Sequence, residues 1–135
     1  MTGERDLDAL LSNMKPELQP GTFVFCTIPP NAPISAALNP LLTFREQEGM
    51  TLVIQRDDAE AAGLSYEFPS RLITLTVHSA LDAVGFLAAI TARLAKAGIS
   101  VNAVSAFHHD HLFVPVDRAD EAMAILREIS ETKHP

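Results

Sequence analysis

A chain of 135 residues, 47 % hydrophobic and 20 % charged, is long enough for one compact unit or two small subdomains sharing a core, and its composition is not that of a disordered polymer. The formal charge of −7, from 17 acidic residues against 10 scattered basic ones, opposes a phosphate backbone and argues against nucleic acid as a partner. No apolar run approaches the roughly 20 residues that span a bilayer, Met1 to Asp8 lacks the basic-then-apolar plan of a leader, and the single cysteine, Cys26, cannot close an intramolecular disulfide, so the expectation is a cytoplasmic protein with no membrane contact.

Leu7, Leu10, Leu11 and Met14 recur at helical spacing and predict a short amphipathic helix, ending before Pro16, that serves as a lid or brace. After Pro20-Gly21, Thr22 to Ile28 is rich in β-branched and aromatic residues and reads as the first strand. Pro29, Pro30, Pro33 and Pro40 forbid a regular helix next and leave room for one turn around Ile34 to Leu38. Leu41 to Gln47 and Met50 to Gln55 flank Glu48-Gly49 as a hairpin, with Gly49 expected to supply a positive φ. Asp57 or Asp58 is placed to cap a helix through Ala62 that Gly63 closes. Ser65 to Phe68 reads as a returning strand, and Pro69 marks the expected seam between residues 1–69 and 70–135.

The second half repeats the plan in fuller form. Leu72 to Val77 reads as a strand, and Ser79-Ala-Leu-Asp82 has the form in which a hydroxyl and a carboxylate satisfy the free donors of a helix start. Val84, Leu87, Ala88, Thr91, Leu94 and Ala95 are expected along one face of that helix, with Arg93 and Lys96 in its last turns and Gly98 as its stop. Ile99 to Phe107 and His111 to Val116 bracket a polar turn as a second hairpin. Asp117 is the expected cap of a final helix carrying Ala122, Ile125, Leu126 and Ile129, and nothing long enough for another strand follows.

Thr51 to Ala62 and Leu112 to Met123 share a strand-into-helix plan, with Val53/Val114, Glu60/Glu121 and Ala61/Ala122 in common, and Thr22 to Ile28 matches Arg71 to Val77. The first copy is shorter by about a helix, because Pro29 to Pro40 stands where the second has His78 to Ile99. Strand-helix-strand-strand-helix predicts an α+β protein of two tandem ferredoxin-like sandwiches with antiparallel sheets, the first lacking its crossover helix. That fold serves many functions and names none.

Val77-His-Ser-Ala-Leu-Asp-Ala-Val-Gly-Phe-Leu-Ala-Ala-Ile90, followed by Leu94 to Val104 with its Ala-Gly-Ile turn, resembles the ACT domain. The glycine of that family's Pro-Gly helix start is matched by Gly85, while Val84 replaces the proline. Leu11 to Leu18, Phe23 to Phe25, Glu48 to Thr51 and His109 to Pro115 make the whole chain similar to small stand-alone tandem ACT-like bacterial proteins, related to the regulatory part of aspartate kinases and to cytosolic arginine sensors. The resemblance implies a non-catalytic regulator, without cofactor, that binds a small metabolite such as an amino acid at an ACT–ACT interface and assembles as a homodimer. It implies ligand contacts from His78, Ser79, Leu81, Asp82, Val84, Gly85 and Phe86, and from Val101, Asn102 and Ala103 on the neighbouring strand. Two alternatives stand beside it. One is an oligomerisation or protein-interaction module without a ligand, which the shortened first copy favours. The other is metal binding by His109 and His111, which share a strand face while His108 and Asp110 point away. Catalysis has no support in the residues, since Cys26 sits among apolar neighbours and no nucleophile elbow or phosphate-binding glycine loop is present.

Overall fold

The computed structural model describes residues 6–132, so most of the segment read for a leader lies outside the described residues. The chain divides into two units: residues 21–70 form an inserted unit, and the stretches 6–20 and 71–132 together form a flanking unit. The expected division at residue 69 assigned the N-terminal segment to the first copy; its contacts place it with the second instead.

Helix α1, Leu7–Asn13, buries Leu10 and Leu11, and the chain turns extended at Met14 ahead of Pro16. Strand β1, Lys15–Leu18, then pairs antiparallel with the later part of β5, Glu67–Thr76, from Lys15 opposite Thr76 to Leu18 opposite Ile73. Gln19 N–H continues the ladder to Leu72 O at 2.8 Å, and Arg71 Nη2 donates to Gln19 O at 3.0 Å. The predicted helix is therefore correct in place, and the four residues after it supply a strand that the sequence pattern did not signal.

The inserted unit starts with β2, Phe23–Ile28, followed by a single 3₁₀ turn at Ala36–Leu38 where a crossover helix would lie. Strands β3, Leu42–Arg45, and β4, Met50–Gln55, form the expected hairpin, and helix α2 spans Arg56–Ala61. The strand order β3-β4-β2-β5 is that of a split βαβ sheet with its first helix missing. Val24, Cys26, Leu52 and Ile54 alternate toward Leu38 and Ala59 to make the core, and burial pushes the Cys26 thiol above its ordinary pKa, as suits an inert packing group.

Three expectations in this unit are corrected. Gly49 does not adopt a positive φ; a Cβ there would lie 2.6 Å from Thr27 Oγ1 and 2.7 Å from Ile28 O, so close approach of β2 is what demands glycine. No side chain caps α2 from its N-cap residue Gln55; Arg56 N–H instead bonds Thr22 O at 2.8 Å, and Asp57 and Asp58 sit within the first turn, where the helix dipole favours them. Pro69 does not end the strand. Phe68 takes φ +55° and the β2–β5 register shifts between Phe23 and Phe25, so β5 passes the proline at a bulge, where its missing N–H costs no ladder bond.

The flanking unit adds helix α3, Phe86–Lys96, strands β6, Asn102–Ser105, and β7, Asp110–Pro115, and helix α4, Ala119–Glu131. Its strand order β1-β5-β7-β6 is again that of a split βαβ sheet, and β1 takes the place of the fourth strand that would follow the last helix. Ile73, Leu75, Leu112 and Val114 meet Leu10 and Met14, the α3 residues Ile90 and Leu94, and Leu126 and Ile129 of α4 in one core.

Helix α3 starts six residues later than the Ser79 cap implied, with Gly85 at φ +92° as its N-cap, and its buried face is Phe86, Ile90 and Leu94. Of the expected face, Leu94 is buried and Leu87 and Thr91 are half-buried, while Val84, Ala88 and Ala95 are exposed. The same Ser and Asp residues that favour helix caps also favour turns, and the segment here closes a turn through its backbone, Ala83 N–H donating to Ala80 O at 3.0 Å. Asp117 likewise falls in a 3₁₀ turn, Val116–Arg118, ahead of α4. Arg118 follows it, and its guanidinium closes the carbonyl end of α3 by donating to Ala97 O at 2.9 Å and to Gly98 O at 3.3 Å.

Candidate functional site

Alternation along β7 sends Asp110, Leu112 and Val114 to the helix-covered face of the flanking unit, where all three are buried. Asp110 is 8 % exposed. Its register partner across the hairpin is Ser105, whose Oγ donates to Asp110 Oδ1 at 2.5 Å. No lysine or arginine among the described residues forms an ion pair with this carboxylate. A buried carboxylate without a cation is costly unless its remaining lone pairs find donors.

That carboxylate borders a crevice of about 60 Å³. The loop from Ser79 to Ala83 and the first residues of α3, Phe86 and Leu87, form one wall; Ser105, Ala106 and Asp110 of the β6–β7 hairpin form the other. The crevice thus combines a negative group with the start of an 11-residue helix, where backbone N–H groups point outward and the dipole favours an anion. The N-cap residue has no side chain with which to close that helix start, because it is Gly85. A molecule carrying a positive and a negative group a few ångströms apart matches both ends.

Of the residues expected at a ligand site, Ser79, Leu81 and Phe86 line this crevice. His78, Asp82, Val84 and Gly85 lie beside it in sequence without lining it; Val84 is 84 % exposed, and the atom nearest to a Cβ built on Gly85 is Leu7 Cδ2 at 3.6 Å. Val101, Asn102 and Ala103 are not brought to it, since Asn102 and Ala103 pair with Phe113 and Leu112 along β6 and Val101 packs on the core. Asp110, the charged member of the lining, lies on the strand face opposite His111, as expected; that this face is the buried one, shared with Leu112 and Val114, makes it a site residue, and the alternation was the available signal.

At Gly85 an L-residue would pay for the left-handed backbone without a clash. Gly85→Ala is expected to cost about 1–2 kcal/mol in urea denaturation, and an unchanged midpoint would show that the loop does not hold this conformation.

Of the described histidines, His109 and His111 have hydrogen-bonding partners within the protein, and His78 and His108 lie in ring proximity. His111 Nδ1 lies 3.0 Å from Thr74 Oγ1, and His109 Nδ1 lies 3.4 Å from Val77 O. The rings of His78 and His109 lie 6.2 Å and 6.3 Å from that of His108. Among the described residues no three His, Cys, Asp or Glu side chains gather as metal ligands, so the pair His109 and His111 finds no third ligand. Burial chiefly, and His109 next, push the His111 pKa below the ordinary histidine value, while Asp110 pulls it the other way. With the folded pKa below the unfolded one, the unfolded chain binds more protons, so stability is full above about pH 6.5 and falls as pH drops through the folded value. The urea midpoint should therefore decrease between pH 7.5 and 5.5, and His111→Gln should flatten that slope; parallel profiles for the two proteins would contradict the assignment.

No helix among the described residues is long and apolar enough to cross a membrane. Family models of the ACT domain match residues 2–71 and residues 67–128. The structure is similar to that of a Vibrio cholerae protein of unknown function, described as a possible transport protein, with 44 % identity, a TM-score of 0.83, and coverage of 92 % of this chain and 95 % of that one. An Agrobacterium tumefaciens protein is similar at 18 % identity and TM-score 0.74, over 87 % of this chain and 89 % of its own. The regulatory subunit of aspartate kinase from Thermus flavus shares the fold at 12 % identity and TM-score 0.63, over 84 % of this chain and 95 % of its own. No curated protein matches.

Proposed function

Because the chain belongs to the ACT-domain family, as two such domains in tandem, we propose that it is a non-catalytic cytoplasmic regulator that binds a small amino acid in the Ser79–Asp110 crevice and passes occupancy on through association with a second copy. ACT domains are regulatory ligand-binding modules, and the same arrangement of elements is found in a regulatory subunit of aspartate kinase. The observation that carries the reading is the buried Asp110 carboxylate opening into a crevice at a helix start. Asp110 and Ser105 receive the ligand ammonium, and the first N–H groups of α3 receive its carboxylate. The volume of about 60 Å³ favours a small side chain.

Ser105 joins the site to an edge. It ends β6, the outer strand of its sheet, on which Asn102, Ala103 and Ser105 are exposed. Small uncharged residues do not blunt an edge as lysine or proline would, so β6 is open to pairing with a second chain. A ligand held by Ser105 and Asp110 stiffens the end of that strand and favours the pair.

A panel of amino acids followed by thermal denaturation tests the proposal. A true ligand at 100 times its dissociation constant should stabilise the fold by roughly 2.7 kcal/mol, and Asp110→Asn should remove that gain while the protein stays folded. A panel in which nothing stabilises the protein would favour the interaction module, and light scattering that shows a monomer at every concentration, with and without ligand, would remove the association step.

A further inference from the structure

The inserted unit carries a larger and chemically different recess. The strap that replaces its crossover helix and the outer side of α2 leave a groove of about 480 Å³ between them, lined mainly by Ile28, Pro29, Pro33, Leu38 and Leu64. That volume lies within the range of about 300–1,000 Å³ typical of small-molecule sites, whereas the Asp110 crevice is much smaller. The groove exists because the 11-residue helix α3 of one copy is answered in the other only by a three-residue turn.

Two features restrain the strap side of the wall. Pro29 and Pro33 lock their own φ angles, and Ser35 Oγ accepts from Ala37 N–H at 3.2 Å to hold the turn that seats Leu38. Binding there has less of the strap to order, which lowers one of the main costs of recognition.

The lining holds one charged residue, Asp58, and the carbonyl end of α2 reaches the groove at Ala61 and Ala62. Both have the same sign, and the chain as a whole carries a formal charge of −7. An apolar body with a cationic head fits; an apolar carboxylate of the same shape is repelled. We infer that the strap–α2 groove is a second ligand site, for an apolar primary amine whose alkyl or aryl body lies on the proline wall and whose ammonium pairs with Asp58.

Calorimetric titration of the full chain with 2-phenylethylamine and 3-methylbutylamine, against phenylacetate and 3-methylbutanol, tests this site. The amines should bind and the carboxylate should not. Ala62→Trp, at an exposed position in the wall, should abolish amine binding with the fold intact. Asp58→Asn should weaken it by roughly tenfold, the loss expected for a charge-assisted hydrogen bond, and bring the amine level with the alcohol. Asp110→Asn, in the other unit, should leave it unchanged. Equal binding of amine and carboxylate, amine binding that survives Ala62→Trp, no heat from any amine, or an Ala62→Trp effect confined to the oligomeric state would each overturn the assignment.

Discussion

A fragment covering residues 67–135 is expected not to fold, although a family model matches residues 67–128 within it as an ACT domain. The reason is that β1, the edge strand beside β5, and the core residues Leu10, Leu11 and Met14 all come from the far end of the chain. Leu10 is fully buried and Met14 is 2 % exposed. Truncating each to Ala in the full chain should cost about 2–5 kcal/mol, against a total stability of about 5–15 kcal/mol for a typical domain; losing the whole segment removes more than that margin. The fragment should show collapsed amide dispersion in NMR. A permutant that joins residues 6–20 after residue 132 through a flexible linker should restore it. A fragment as well dispersed as the full chain would show that β1 is dispensable.

Gly49→Val should be nearly as damaging, and for a reason unconnected with backbone freedom. A Cβ at Gly49 would sit 2.7 Å from Ile28 O, a main-chain atom of the paired strand that cannot swing aside. Gly49→Ala should cost about 1–3 kcal/mol by overpacking, and valine more. Gly63 is the control. Its φ is +68° but nothing lies within 4 Å of the added carbon, so Gly63→Ala should cost only about 1 kcal/mol. Urea denaturation of the pair decides between the two causes. Gly63→Ala costing more than Gly49→Ala would contradict the close approach.

The two-copy architecture was legible because its signals are local. Thr22 to Ile28 and His111 to Val116 have strand composition, the prolines from Pro29 to Pro40 forbid a helix, and Leu126 and Ile129 repeat at helical spacing. What was not legible depends on partners far away in sequence. Lys15–Leu18 is short, half charged and contains a proline, and only the open edge of β5 makes it a strand. Pro69 looked like a boundary because a bulge created by Phe68 at φ +55° has no signature in composition. Ser79 and Asp82 suggested a helix cap because the same side chains serve turns, and the true start at Gly85 moved the buried face of α3 to Phe86 and Ile90. The loop half of the candidate site was foreseen through Ser79, Leu81 and Phe86; the hairpin half was not, because a carboxylate among three histidines reads as a polar turn until Leu112 and Val114 fix which way Asp110 faces.

The most direct test is an NMR titration of the full chain with whichever amino acid stabilises it most, followed amide by amide. Shifts should concentrate at residues 79–87 and 105–110, with Ser105 and Asp110 among the largest, and should vanish in Asp110→Asn. Saturable binding whose shifts leave both segments untouched would place the ligand elsewhere and end the account of Asp110 as its anchor.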